Sequence, residues 1–341
     1  MTTTWFAAAA LAAALTAGQD AAASAGQDDV QPVSSGPQLA LEATAEAAEA
    51  DPILRNAETY AAYHGDVGEA GRRELLSGAD LDATMDSLTR YYEGDRLVDA
   101  QIAYAALVAA QHPDFIDSVR AVADYYGTDT ARSALMNDPV YVTGFMGADE
   151  ASESVVGAIS EDVSHMEVVG ERYRQAAYDL QSSTWAARRA SDRQERLSSL
   201  ETASDRLDVD FHLQDGSRGA VNGPGRLGSA SALFAERAPT IGPSLPDLAV
   251  TVGEQQMEPD ERRVGRMLAV AALQSIESGD MAALDYMLND ASVERCITWA
   301  RLTMAQCVAA GYFKYEDSFC IAEHALLDVA DCLTATQPVS N

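Results

Sequence analysis

Residues 293–333 read VERCITWARLTMAQCVAAGYFKYEDSFCIAEHALLDVADCL and hold all four cysteines of the 341-residue chain, Cys296, Cys307, Cys320 and Cys332. Val293, Cys296, Ile297, Ala300, Met304, Cys307 and Val308 recur at the spacing of one helical face. Cys296 and Cys307 therefore share a face, but a rise of about 1.5 Å per residue sets them roughly 16 Å apart, whereas a disulfide needs Cα atoms about 5.5 Å apart. They cannot pair with each other. The same geometry separates Cys320 from Cys332 if residues 318–334 form a second helix. With the two helices antiparallel about a turn at residues 311–317, facing residues have numbers of constant sum. Cys296 with Cys332 sums to 628 and Cys307 with Cys320 to 627. The nested pairing fits, and the crossed pairing would pull the hairpin apart.

One detail resists this arrangement. Cys320 and Cys332 are twelve residues apart, about 120° around an ideal helix. The expectation is that Cys320 sits in a distorted first turn. The layout resembles the twin-CX9C helical hairpin, but the spacings here are ten and eleven intervening residues, and no function is carried over. A zinc site would show a close C-x2-4-C pair and a thioredoxin-like site C-x-x-C. Neither spacing occurs, so the reading is structural disulfides and an oxidising compartment.

The N-terminus agrees with that compartment. Trp5 to Ala17 is an uninterrupted, mostly alanine run followed by the small residues Ala23-Ser24-Ala25. Its length suits a signal-peptide core and is too short to span a bilayer, although no Lys or Arg precedes it. Residues 1–25 are read as a signal peptide and 26–51, rich in Ala, Glu, Pro and Ser, as a disordered linker. No later segment is apolar enough to cross a membrane. The formal charge is −30, from 53 acids against 23 bases, which repels phosphate backbones and excludes nucleic acid as a partner. Lys314 is the only lysine, so Schiff-base or Ser-Lys chemistry would depend on one turn position.

Outward from the hairpin the pattern is helical. Residues 52–207 read as a helical domain: Asp95 starts a helix carrying Leu97, Val98, Ile102, Ala105 and Ala109, and Pro113 opens another that Gly127 ends. Between Asp149 and Leu207 there is no proline, so one long helix, or a pair broken near Ser182-Ser183, is expected. Ile159, Val163, Met166, Gly170, Tyr173, Ala177 and Leu180 alternate steps of four and three, a helix-packing seam that could also serve self-association. Beyond Trp185 the sequence turns polar, which predicts a helix projecting into solvent or meeting a partner. Residues 208–257 read as a Gly/Pro-rich linker and 258–341 as a helical domain ending in the four-cysteine hairpin.

Candidate chemistry is thin. Gly223-Pro-Gly225-Arg-Leu-Gly228 matches G-x-G-x-x-G but follows no strand. Glu161 and His165 stand one turn apart beside Asp162, Glu167 and Glu171, yet a metal would need ligands from a second helix. Asp208-Val-Asp210-Phe-His212 lacks the remaining calcium-loop ligands. His64, His112 and His324 read as capping or packing histidines, and the tyrosine doublets Tyr91-Tyr92 and Tyr125-Tyr126 as boundary residues of helices poor in bulk. G-x-S-x-G and H-E-x-x-H are absent. The sequence thus predicts an all-α, disulfide-stapled protein with no cofactor and no metal. It would be periplasmic or secreted, with a binding or scaffolding role toward a protein or cell-envelope component. The rival expectation is an envelope hydrolase using Asp/Glu acid–base chemistry on wall material.

Overall fold

The computed structural model describes residues 51–190, 193–213, 227–237, 257–276 and 281–338. The signal-peptide reading, almost all of the 26–51 linker and both Gly223 and Gly225 lie outside these residues. Among the described residues the regular structure is helical, apart from one short antiparallel pair, β1 (Met257–Pro259) with β2 (Thr336–Pro338), and an isolated bridge between Arg189 and Phe313.

Local signals set the helix ends. Helix α1 (Pro52–Arg72) begins at Asp51, whose carboxylate accepts the Ile53 N–H at 2.9 Å, with Pro52 where a missing N–H costs nothing. After α2 (Gly78–Thr89) and α3 (Arg96–Ala109), Pro113 opens α4 (Pro113–Tyr126). Gly127 stops α4 at φ 88°, a left-handed value that glycine alone adopts freely. Helix α5 (Thr128–Asn137) and a 3-10 turn (Pro139–Gly144) lead into α6 (Ala148–Asp179), the 32-residue long helix.

Helix α3 is the axis of the fold. From Leu97 to Ala109 every residue but Asp99 is buried, the mark of a helix enclosed on all sides. It packs against α1, α6 and α8 (Glu261–Ser275). The two helical regions therefore share one core. Arg263 of α8 knits them together: its Nη1 donates to the carbonyls of Cys332 (2.8 Å) and Thr334 (2.6 Å), and its Nη2 to Gln101 Oε1. These carbonyls belong to the last, otherwise unsatisfied turn of the chain's final helix. Burial lowers the Arg263 guanidinium to about 10, so it remains charged at neutral pH.

After α9 (Met281–Leu288), the hairpin consists of α10 (Ala291–Ala310), α11 (Glu316–Cys320), a π-helical stretch (Ile321–Leu327) and α12 (Asp328–Leu333). Cys296 bonds Cys332 and Cys307 bonds Cys320, with Cα–Cα distances of 5.6 and 5.7 Å. The misfit of about 120° is resolved downstream of Cys320, not in the first turn as expected. A π turn spans i to i+5 and absorbs one extra residue, so Cys320 and Cys332 behave as if eleven apart, about 20° around the helix. Cys296 and Cys307, eleven apart on a regular helix, have the same offset. The Tyr92 hydroxyl donates to the Ala325 carbonyl inside the widened stretch at 2.6 Å.

The seam from Ile159 to Leu180 faces this hairpin. Met166 and Tyr173 are fully buried. A Cβ at Gly170 would lie 2.8 Å from Leu327 Cδ2, so glycine is what lets α6 approach the π turn. One expectation fails: α6 does not project into solvent past Trp185. It ends in a 3-10 turn at Leu180–Ser182, and residues 186–190 turn back to pair with the hairpin loop through Tyr315 N–H to Ala186 O (3.1 Å), Lys314 N–H to Arg188 O (3.2 Å) and Ala190 N–H to Tyr312 O (2.9 Å). Donors and acceptors left over by the hairpin turn capture the polar stretch. Among the described residues no helix is long and apolar enough to cross a membrane.

Candidate functional site

The returning segment, the start of α2 and α7 (Arg193–Glu201) enclose a cleft of 470 Å³ against the hairpin turn. Each wall has a local cause. Helix α2 starts where Asp80 reaches back to accept the Ser77 N–H (2.7 Å) and the Ser77 hydroxyl (2.8 Å), which hold its carboxyl below the usual range. At Gly78 a Cβ would stand 3.0 Å from Lys314 Cε, so the only lysine lays its stem across the bare start of this helix. Trp185, half-buried, and Arg189, whose guanidinium lies 4.7 Å from the Tyr312 ring centre, form the opposite side.

Beneath them runs a chain of charges. Arg196 Nη1 donates to Asp317 Oδ1 (2.5 Å), Lys314 Nζ donates to Asp317 Oδ2 (2.8 Å), and Lys314 Nζ also meets Asp82 (2.5 Å). The Asp317 side chain has no exposure and that of Arg196 only 8%. Among the described residues Arg196 Nε and Nη2 have no partner. They form the second edge of the guanidinium fork, and a buried donor left unpaired costs about 1–3 kcal/mol. Four cations, Arg188, Arg189, Arg196 and Lys314, line the cleft against three carboxylates, Asp82, Asp86 and Glu195. Across the whole chain acids outnumber bases 53 to 23, so the balance is locally inverted.

The cleft presents charges of both signs. Asp86 accepts from Arg206 and from the Ser199 hydroxyl, and Asp82 faces Lys314. Among the described residues its lining contains no histidine or cysteine.

The residues singled out from the sequence go elsewhere. Asp162 is fully buried, and its carboxylate accepts the Ala230 N–H (3.0 Å) and the Ser231 N–H (2.7 Å) of the chain following Gly228. His64 is a packing residue inside α1, fully buried, 3.9 Å from Asp162 and packed on Tyr60 and Tyr63. Burial pushes His64 and His165 below the ordinary histidine value, against the pull of Asp162. His324 Nδ1 sits 2.7 Å from Asp328 Oδ2. In the former calcium candidate, His212 approaches Glu58 at 3.4 Å and Phe211 packs on Phe234. Among the described residues no group of His, Cys, Asp and Glu is arranged to hold a metal.

Two features escaped the sequence reading. An apolar groove of 410 Å³ runs between α4 and α5, floored by Val119 and Leu135 and walled by Tyr126 and Tyr141. Asp99 is pushed up to about 7 by burial and by Asp95, Asp285 and Glu294 nearby. The only signal for Asp99 was a lone carboxylate on the apolar face of α3. The signal for the cleft is the polar stretch 188–196, whose sequence reads as a helix projecting into solvent or meeting a partner. No family model, curated protein or solved structure matches the chain.

Proposed function

We propose that this is an exported, non-catalytic binding protein of the cell envelope, periplasmic or secreted, whose stapled hairpin holds one wall of a ligand cleft. The observation that carries the reading is the lining of that cleft, where the carboxylates of Asp82 and Asp86 are engaged with Lys314 and Arg206 while a cationic edge stays unpaired. Such a site is built to hold. Two disulfides fit an oxidising compartment. The test is complementation of a deletion strain with Asp82→Asn, Asp86→Asn and Glu195→Gln, each checked for export and disulfide formation. All three should restore the phenotype.

Asp99 supplies the one observation favouring an envelope hydrolase, since a carboxyl held near 7 is what a general acid needs. It does not border the cleft. Loss of complementation by Asp99→Asn, in a protein still folded and exported, would put the hydrolase in place of the binding reading.

A further inference from the structure

We propose, resting on the binding reading above, that the cleft takes a small organic oxyanion, a carboxylate or phosphate borne on a flat apolar body. Arg196 recognises its charge, and Arg188 and Arg189 guide it in. Nε and Nη2 of a guanidinium present two parallel donors at the spacing of two carboxylate or phosphate oxygens, and in Arg196 this edge is buried and unpaired while Nη1 is committed to Asp317. Asp317 thus fixes the fork and leaves its other side for a ligand. Arg188 and Arg189 are exposed and have no carboxylate partner among the described residues. They form a local attraction for anions on a chain whose overall charge would repel them.

The body of the ligand has its own surface. Trp185, Met85 and Leu200 give the cleft an apolar side, and the Arg189–Tyr312 stack lies beside it. A volume of 470 Å³ is that of a small-molecule site and too small for a folded partner. The unpaired edge is buried in this structure, so an anion reaches it only when the side chains that line the cleft move aside.

The probes are phenyl phosphate, benzoate, inorganic phosphate and the neutral benzyl alcohol, titrated by calorimetry into the purified, oxidised protein at low ionic strength. Phenyl phosphate or benzoate should bind with a Kd below about 1 mM and benzyl alcohol at least about tenfold more weakly. Whichever ring-bearing anion binds more tightly identifies the source of the oxyanion. Inorganic phosphate, lacking the ring, should bind more weakly than phenyl phosphate. Arg196→Lys keeps a charge opposite Asp317 but removes the fork, and should weaken binding by about tenfold. Because that site is buried, the surface variant Arg188→Ala/Arg189→Ala is the second arm; it should melt like the parent and weaken binding by about threefold to tenfold. The proposal is overturned if neither ring-bearing anion binds at about 5 mM, if benzyl alcohol binds equally well, or if both variants bind like the parent. The complementation result for the cleft carboxylates does not depend on these probes, so the binding reading and the ligand class fail separately.

Discussion

The hairpin of residues 291–333 and the crossing segments at 207–213 and 227–234 both close over the helical core, but they are fastened by different chemistry. The hairpin is held by two covalent cross-links whose spacing is written in the sequence. The crossing segments are held by side chains that reach backbone groups. Glu58 accepts the Leu213 N–H (2.9 Å), Gln111 exchanges two hydrogen bonds with Leu227 (2.7 and 3.0 Å), the Tyr104 hydroxyl donates to Gly228 O (3.0 Å), and Asp162 accepts from Ala230 and Ser231. Every latch residue is buried, where an unmade hydrogen bond is expensive. These short stretches are thus pinned by single side chains, because the surface beneath them presents polar groups in the right places.

Removing the staples gives the largest expected effect. By chain entropy, Cys296→Ser/Cys332→Ser, which opens the longer loop (sequence separation 36), should cost about 4 kcal/mol. Cys307→Ser/Cys320→Ser, with separation 13, should cost about 3 kcal/mol. Urea unfolding measures both; equal costs near zero would mean that helix packing alone holds the hairpin. Asp162→Ala breaks a latch and leaves two backbone N–H groups unpaired, for about 2–3 kcal/mol. Its signature is local: brief proteolysis should cut within residues 207–237 faster than in the parent, while the hairpin stays intact. Unchanged cleavage would show that the crossing segments do not depend on Asp162.

Between these two regions lies the contact of α6 with the π turn. Gly170→Ala places a methyl against Leu327 and should lower stability by about 1–3 kcal/mol through overpacking, read as a drop in Tm with both disulfides retained. The smallest effect is a gain. Asp99 titrates near 7 in the folded protein against an ordinary value of 3.8, so the folded state holds more protons between those values. Its contribution to stability therefore falls as pH rises through that window and is lowest above 7. Asp99→Asn should stabilise the protein at pH 8 by about 1 kcal/mol, allowing for screening at a site still open to solvent, and by less at pH 4. An equal gain at both pH values would refute the assignment.

What was legible in the sequence follows the same division. Pro113 and Gly127 bounded α4 because caps are local events, and the cysteines gave their pairing because a helix makes distance along the chain a measure of distance in space. The π turn was not legible, since its widened ladder is stabilised by Tyr92 from more than two hundred residues away. The crossing segments were hidden for the same reason. Tyr104 lies on α3, Gln111 in the turn that follows it and Asp162 on α6, and nothing in their spacing announces a shared partner. Asp162 was noticed as a metal-ligand neighbour when it is an acceptor for backbone N–H groups. The tyrosine doublets looked alike in sequence and separate in the fold: Tyr91 and Tyr92 are buried, whereas Tyr125 and Tyr126 are 80% and 60% exposed beside the apolar groove. The cleft was missed because its arginines lie in a polar run, and only the hairpin turn makes that run a wall.

Ligand binding at Arg196 is read most directly from its Nε–H resonance in nitrogen-15-edited spectra of the arginine side chains, assigned through Arg196→Lys and followed during titration with phenyl phosphate and benzoate. This signal should move and saturate with the ligand while that of Arg263, locked in the core by Gln101 and the hairpin carbonyls, stays in place. A titration that leaves Arg196 unmoved at saturation, or shifts Arg263 instead, would contradict it.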